Sequence, residues 1–281
     1  MSKLRICTRL AGLLVFAMLG ATAASAAGTT LTIVDADGAS HRFPIEALLA
    51  RPDVETVTVA GDPAYGAASP AYRAVPLARL LAGLPVRGAD ILEATALDGF
   101  VAQLPAGRAL SADPAGARAW LAIEDPAKPW PKLPGKDVTA GPYYLVWSNP
   151  KRSGIGPEAW PYQAVTLKLT ASVASRFPAI VVAGSLAADD PARRGQAVFV
   201  DNCFACHRMN GAGEASIGPD LNLPMNPTEY FRPEVLPRFI RDPKAVRDWS
   251  EQRMPGFGTD VLDDQDLEAV VAYLAHMAGR R

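Results

Sequence analysis

Cysteine is nearly absent. The 281-residue chain has three, Cys7, Cys203 and Cys206, and only three histidines, His41, His207 and His276. So few thiols rule out a disulfide framework, which needs an even and larger set. Excess charge of one sign is also missing. The formal net charge is −1, so nothing in the composition calls for nucleic acid or an anionic membrane as partner. Aromatics make up 7% of the residues. No apolar run beyond the first twenty residues approaches the length needed to span a bilayer. Internal repeats and low-complexity tracts are absent too. Proline and glycine, by contrast, are plentiful at 25 and 23 residues, so turns and loops are many.

The first 26 residues read as a secretory signal peptide. Lys3, Arg5 and Arg9 form a basic region, Leu10 to Leu19 a short apolar run, and Ala24-Ser25-Ala26 a small-residue cleavage site. Cys7 precedes the apolar run and is expected to leave with it. Loss of the three basic residues takes the net charge from −1 to −4. About 255 residues then remain, which suggests two domains.

The motif with the most chemical content is Cys203-Phe204-Ala205-Cys206-His207. Two thiols three residues apart fit one helical turn and can reach the two vinyl groups of one haem, with His207 as proximal iron ligand. Zinc would need four ligands, commonly from a second cysteine pair, and no cysteine follows Cys206. A thioredoxin-like site would want a βαβ context, whereas the flanks here are helical and glycine-rich. The expected cofactor is one covalent haem c.

A domain boundary falls near residues 176 to 191. Alternating apolar residues precede it and helical periodicity follows, with Leu186 to Pro191 as a linker. Residues 27–185 are read as an α+β domain and 186–281 as an all-α domain. Asp189 or Asp190 can cap the first helix of the latter, with Pro191 in its first turn.

From about Asp189 to Arg281 the chain resembles a class I cytochrome c. Four pieces carry the resemblance. The helix 192–199 enters the haem motif and carries Gly195, which would let it cross closely against the terminal helix. CFACH follows. Gly218-Pro219-Asp220-Leu221 comes about a dozen residues later, and the resemblance implies that the Pro219 carbonyl accepts from the His207 Nδ1–H, fixing the ring. Met254-Pro255 precedes a helix capped by Asp263, with Asp264 and Asp266 in its first turn and Leu267, Val270, Val271 and Leu274 on one face. The resemblance implies Met254 as distal ligand, so His207 and Met254 would be the axial pair. A thioether favours Fe(II) and raises the potential. Met225, in the proline-bounded loop Leu223-Pro224-Met225-Asn226-Pro227, is the rival. Met209 would lie on the proximal side, Met277 and His276 belong to the last helix, and His41 lies in the other domain.

Between these pieces, a helix is expected from Pro233 to near Asp242, with Leu236, Phe239 and Ile240 as its apolar face. Trp249 reads as a core aromatic or a haem-edge contact. Arg238, Arg241 and Arg253 are candidates for propionate or partner contacts, or for a solvated face.

The first domain is less informative. Strands are expected at Leu31–Val34, Val57–Val59, Ile91–Ala96, Ala119–Ile123, Tyr143–Trp147 and Ala164–Leu169, and short helices at Phe43–Leu49 and Pro76–Leu81. The stretches Arg73–Leu81, Ala96-Leu97-Asp98-Gly99-Phe100 and Gly141–Val146 weakly resemble the molybdopterin-binding domain of the sulfite oxidase family. That family ligates molybdenum through a cysteine, and residues 27–185 contain none. The domain is therefore expected to be a cofactor-free relative that binds a partner or orients the haem. Its aromatics Trp130, Tyr143, Tyr144, Trp147, Trp160 and Tyr162 should be mostly core.

These readings converge on a periplasmic monohaem electron carrier with no catalytic residues, working between periplasmic redox proteins. The alternative is the haem subunit of a sulfite-dehydrogenase-like oxidoreductase, whose first domain binds substrate or a catalytic subunit. A gas sensor that displaces Met254 is a third reading, disfavoured by a closed His/Met site.

Overall fold

A computed structural model of the chain describes residues 30–66 and 70–281. The expected signal peptide and Cys7 lie outside the described residues. The N-terminal half is a mixed β-sheet domain with short helices. In chain order its elements are β1 (Thr30–Val34), β2 (Ser40–Pro44), α1 (Ile45–Leu49), β3 (Glu55–Thr58), β4 (Ala71–Pro76), α2 (Leu77–Leu80), β5 (Ile91–Ala96), β6 (Val101–Pro105), α3 (Ala106–Ala109), β7 (Arg118–Ile123), β8 (Tyr143–Ser148) and β9 (Ala164–Thr170).

The strands form two sheets. One has the order β2-β1-β9-β5-β6, the other β3-β4-β7-β8. All neighbours are antiparallel except β1 and β9, which run parallel with Thr32 opposite Thr166. Alternation decides which face of β1 is inside: Leu31 and Ile33 are buried and their neighbours half-buried. In β8, Tyr143 through Trp147 are all buried, so this strand is covered on both faces. Tyr143, Tyr144, Trp147 and Trp160 are core, while Trp130 and Tyr162 pack half-buried beside them.

The structure adds strands where the sequence pattern is weak. Ser-His-Arg-Phe-Pro forms β2, a half-exposed edge strand, so the helix expected from Phe43 starts at Ile45 instead. Likewise Pro76 ends β4 and caps the helix that follows. An edge strand has one partner and needs no apolar alternation, which is why its sequence does not announce it.

The C-terminal half is helical: α4 (Val173–Arg176), α5 (Pro191–Asn202), α6 (Pro227–Tyr230), α7 (Val235–Arg241), α8 (Pro243–Val246) and α9 (Asp264–Ala278). Asp190 caps α5, its side chain accepting from Ala192 N at 2.9 Å, and Asp263 caps α9, accepting from Asp266 N at 2.7 Å. The helices α5 and α9 cross at Gly195. A Cβ there would lie 1.9 Å from the Ala269 carbonyl oxygen, so only glycine lets the two backbones approach this closely.

The helical core draws on residues earlier than 186. Val173, Ile180 and Val182 belong to it, and the buried Tyr273 hydroxyl donates to the Ile180 carbonyl at 2.7 Å. The His276 Nε2 accepts from Ala183 N at 3.1 Å, so this histidine holds the connecting segment. No helix among the described residues is long and apolar enough to cross a membrane.

Candidate functional site

The last turn of α5 delivers the Cys-x-x-Cys-His motif. Cys203 caps the helix, donating from its N–H to the Phe199 carbonyl at 2.9 Å. The turn continues: Cys206 N and His207 N both donate to the Cys203 carbonyl, at 3.1 and 2.9 Å. Both cysteines are therefore held on one turn with His207 directly after them. Both thiols are free and half-buried. Burial pushes each thiol up to about 12, and the nearby carboxylate of Glu158 adds to it. Such thiols are neutral S–H groups at physiological pH. Among the described residues, no group of three or more His, Cys, Asp or Glu side chains is arranged to hold a metal ion.

His207 is fixed from the side. Its Nδ1 lies 2.8 Å from the Pro219 carbonyl oxygen. A carbonyl can only accept, so Nδ1 carries the proton and Nε2 keeps its lone pair free for iron. Burial of the imidazole lowers its pKa, which also favours the neutral ring. The loop bearing Pro219 is tied to the motif by Gly218 N, which donates to the Cys206 carbonyl at 2.8 Å. A Cβ at Gly218 would meet the His207 ring at 2.5 Å, so the loop can lie flat against the imidazole only because that residue has no side chain.

Asp220 organises this loop. Its Oδ1 accepts from Asn210 N, Asn222 N and Leu223 N at 3.2, 2.8 and 2.9 Å, and its Oδ2 accepts from Gly211 N at 2.6 Å. Nothing in composition or periodicity singles it out; its place next to Pro219 is the only sequence clue.

The two candidate distal methionines differ in environment. Met254 is partly buried against the helical core that Cys203 also borders. Met225 is 50% exposed. The reason lies in its flanks. Asn222 and Asn226 are fully buried, and their amides donate to the α9 carbonyls of Met277 and Leu274, at 2.8 and 2.9 Å. With both ends pinned to α9, the short segment between them turns Met225 outward. Met209 is fully buried in the core.

Some expectations for the flanking residues need correction. Trp249 is not a core residue: it is 41% exposed, with the Arg247 guanidinium over its ring. Arg241 is committed internally. Its guanidinium donates to the Phe257 carbonyl at 3.0 Å, to the Leu262 carbonyl, and to Asp264 at 2.6 Å, so it binds the segment after Met254 to the start of α9. Arg238 remains exposed.

The two halves touch at the motif itself. Val101 N, at the start of β6, donates to the Ala205 carbonyl at 3.0 Å. A cavity of about 350 Å³ lies beside this contact, lined by Gln103, Arg108, Trp147, Glu158, Asn202 and Ala205 among others. Neither His207 nor Met254 lines it, so it is separate from the axial-ligand site. Burial pushes the half-buried Glu158 carboxyl up to about 7.

Comparison with known families agrees with this geometry. Residues 192–278 match the family model described as Cytochrome c. These residues are a cytochrome c domain. The match starts within α5, contains the Cys-x-x-Cys-His turn, the Pro219 loop and Met254, and ends with α9. No curated protein and no solved structure matches the chain. The β-sheet half carries no family assignment. A cytochrome c domain implies covalent haem c, haem-based electron transfer and redox partners.

Proposed function

We propose that this protein is a periplasmic monohaem c-type cytochrome that carries single electrons between redox proteins and has no catalytic residues of its own. The observation that carries the reading is the 2.8 Å contact from His207 Nδ1 to the Pro219 carbonyl, on the same turn that bears Cys203 and Cys206. It leaves Nε2 as the only ring nitrogen able to bind iron, on the residue that follows the second cysteine. Cys203 and Cys206 would hold the group covalently, His207 and Met254 would be its axial ligands, and Pro219 would keep the imidazole plane fixed. When bound, haem c supplies a one-electron Fe(III)/Fe(II) couple.

The chain's part is to limit rearrangement as the charge changes. His207 is held by Pro219, the Pro219 loop by Asp220, and the segment after Met254 by Arg241. Each restraint is a hydrogen bond to backbone, which would limit movement of the residues that would hold the haem when its charge changes. Redox encounters of this kind bury less than about 1,200 Å² and exchange quickly. An acidic mature chain would favour a basic partner patch, with association slowing as salt is added.

A second reading is favoured by the Val101 to Ala205 contact, which joins the β-sheet half to the haem motif. In it the protein is the haem subunit of a periplasmic oxidoreductase, and the first domain binds substrate or a catalytic subunit. The deciding experiment is metal analysis with a redox titration on protein matured where haem can be attached. One iron, no molybdenum and a reversible one-electron couple support the carrier. Stoichiometric molybdenum, or copurification with a catalytic subunit, would replace it by the second reading. Absence of covalent haem would sink both.

A further inference from the structure

The two residues between the thioether cysteines, Phe204 and Ala205, are each gripped from the N-terminal half. Ala205 offers its carbonyl to Val101 N at 3.0 Å. β6 is the edge of its sheet, so the outward N–H of Val101 has no strand partner, and the haem-attachment turn supplies one. Phe204 is reached through a relay of side chains. Glu93 on β5 and Gln103 opposite it on β6 both bind Arg176, through Nη1 to Glu93 Oε2 at 2.7 Å and Nη2 to Gln103 Oε1 at 2.5 Å. The Arg176 guanidinium lies 4.9 Å from the centroid of the Phe177 ring. Phe177 meets Phe204 edge-on with centroids 5.5 Å apart. Phe204 is 2% exposed and continues through Phe199 to Tyr273 on α9.

The pair at the head of the relay is buried: the Glu93 side chain is 2% exposed and that of Arg176 14%. A buried ion pair is costly to desolvate and is weak evidence for net stability; fixing one arrangement is its better-attested use. Arg176 makes three directional bonds, the third from its Nε to the Ala171 carbonyl at 3.2 Å. The guanidinium is thus locked in position and orientation.

We propose that Arg176, with Glu93 and Phe177, is a positioning element through which the N-terminal half sets the placement of the haem-attachment turn, and with it the reduction potential. The inference rests on the haem reading given above. The physical link is solvation and geometry. Burial and ligand placement are among the levers by which a protein tunes haem iron. If the turn loosens and water gains access, the more highly charged ferric state is stabilised, so the potential falls.

The test uses the full-length holoprotein and four forms: wild type, Arg176→Ala, Phe177→Leu and Arg51→Ala. Arg51 pairs with Asp53 at 2.8 Å within the N-terminal half, so the last variant controls for loss of an ion pair elsewhere. Two quantities are read: the midpoint potential, and hydrogen exchange of the Val101 amide. In Arg176→Ala, Val101 exchange should rise by about tenfold, as expected when a hydrogen bond worth roughly 1.4 kcal/mol opens, and the potential should fall. Phe177→Leu keeps every charge and should shift both in the same direction by less, which separates position from the field of Arg176. Arg51→Ala should shift neither. If Arg176→Ala does not fold, Phe177→Leu alone decides. Unchanged potential and exchange in the folded variants, on a wild type with a normal one-electron couple, would overturn the inference and leave the carrier reading intact. A wild type without that couple would instead remove the carrier reading.

Discussion

Gly195 faces the carbonyl of Ala269 with no space between the two backbones for a side chain. A Cβ at Gly195 would stand 1.9 Å from that oxygen and 2.7 Å from Tyr273 Cβ. The crossing of α5 and α9 is built on this contact, and neither backbone can yield without unseating the Cys203 turn or the Tyr273 hydroxyl. Gly195→Ala should cost about 3 kcal/mol or more, at the upper end of overpacking effects. Gly184→Ala, where nothing lies within 4 Å, should be nearly neutral. Thermal melts of the two variants side by side check this.

Met254→Ala should abolish the weak far-red sulfur-to-iron(III) absorption band and lower the potential by a large step, because a thioether ligand favours Fe(II). Met225→Ala should leave both unchanged, since its side chain is 50% exposed and turned from the core. Optical spectra of the oxidised holoproteins distinguish the two. Survival of the band in Met254→Ala would assign the distal ligand elsewhere.

Glu158 gives the fold a pH dependence. Its carboxyl is raised by burial from an ordinary 4.5 to about 7. At low pH it is protonated in the folded and unfolded chain alike and costs nothing. As pH rises from about 4.5 toward 7 the unfolded chain ionises first, so stability falls, and the loss is complete above 7. Glu158→Gln should therefore stabilise by about 1–3 kcal/mol near pH 8 and by almost nothing near pH 4. Denaturant melts at the two pH values read the difference. An equal effect at both would show that the carboxyl does not titrate as described.

Asn226→Ala should be strongly destabilising for a loop residue, by about 2–3 kcal/mol. The substitution leaves the buried Leu274 carbonyl and Asn222 Oδ1 without their donor. It also removes the cap that accepts from Thr228 N at 3.0 Å. Because the loop would no longer be pinned to α9, limited proteolysis should cut near Met225 in the variant before it cuts the wild type.

The legible parts of this molecule were those governed by short-range rules. The terminal helix shows in the spacing of Leu267, Val270 and Leu274 and in the Asp263 cap; the His207 to Pro219 contact and the Gly195 crossing are implied by a family pattern confined to the last third of the chain. The parts that stay hidden depend on long-range partners. β2 and β6 are edge strands whose pairing, not composition, makes them strands. Asp220, Asn222 and Asn226 are common loop residues until their targets on distant backbone are seen. The raised carboxyl of Glu158 and the Arg176 relay arise where residues far apart in sequence meet, and local periodicity carries no trace of them.

The parallel pairing of β1 with β9 has a kinetic consequence. Thr32 finds Thr166 only after nearly the whole N-terminal half has been traversed, and β9 is also the strand against which β5 registers. The five-stranded sheet is therefore closed by its last strand, a high-contact-order step that should be slow compared with formation of the local α5–turn segment. The edge that receives Ala205 belongs to that same sheet. During folding the attachment turn should stand uncovered while the sheet remains open. The Ala205 carbonyl would then gain its Val101 partner only as the sheet closes.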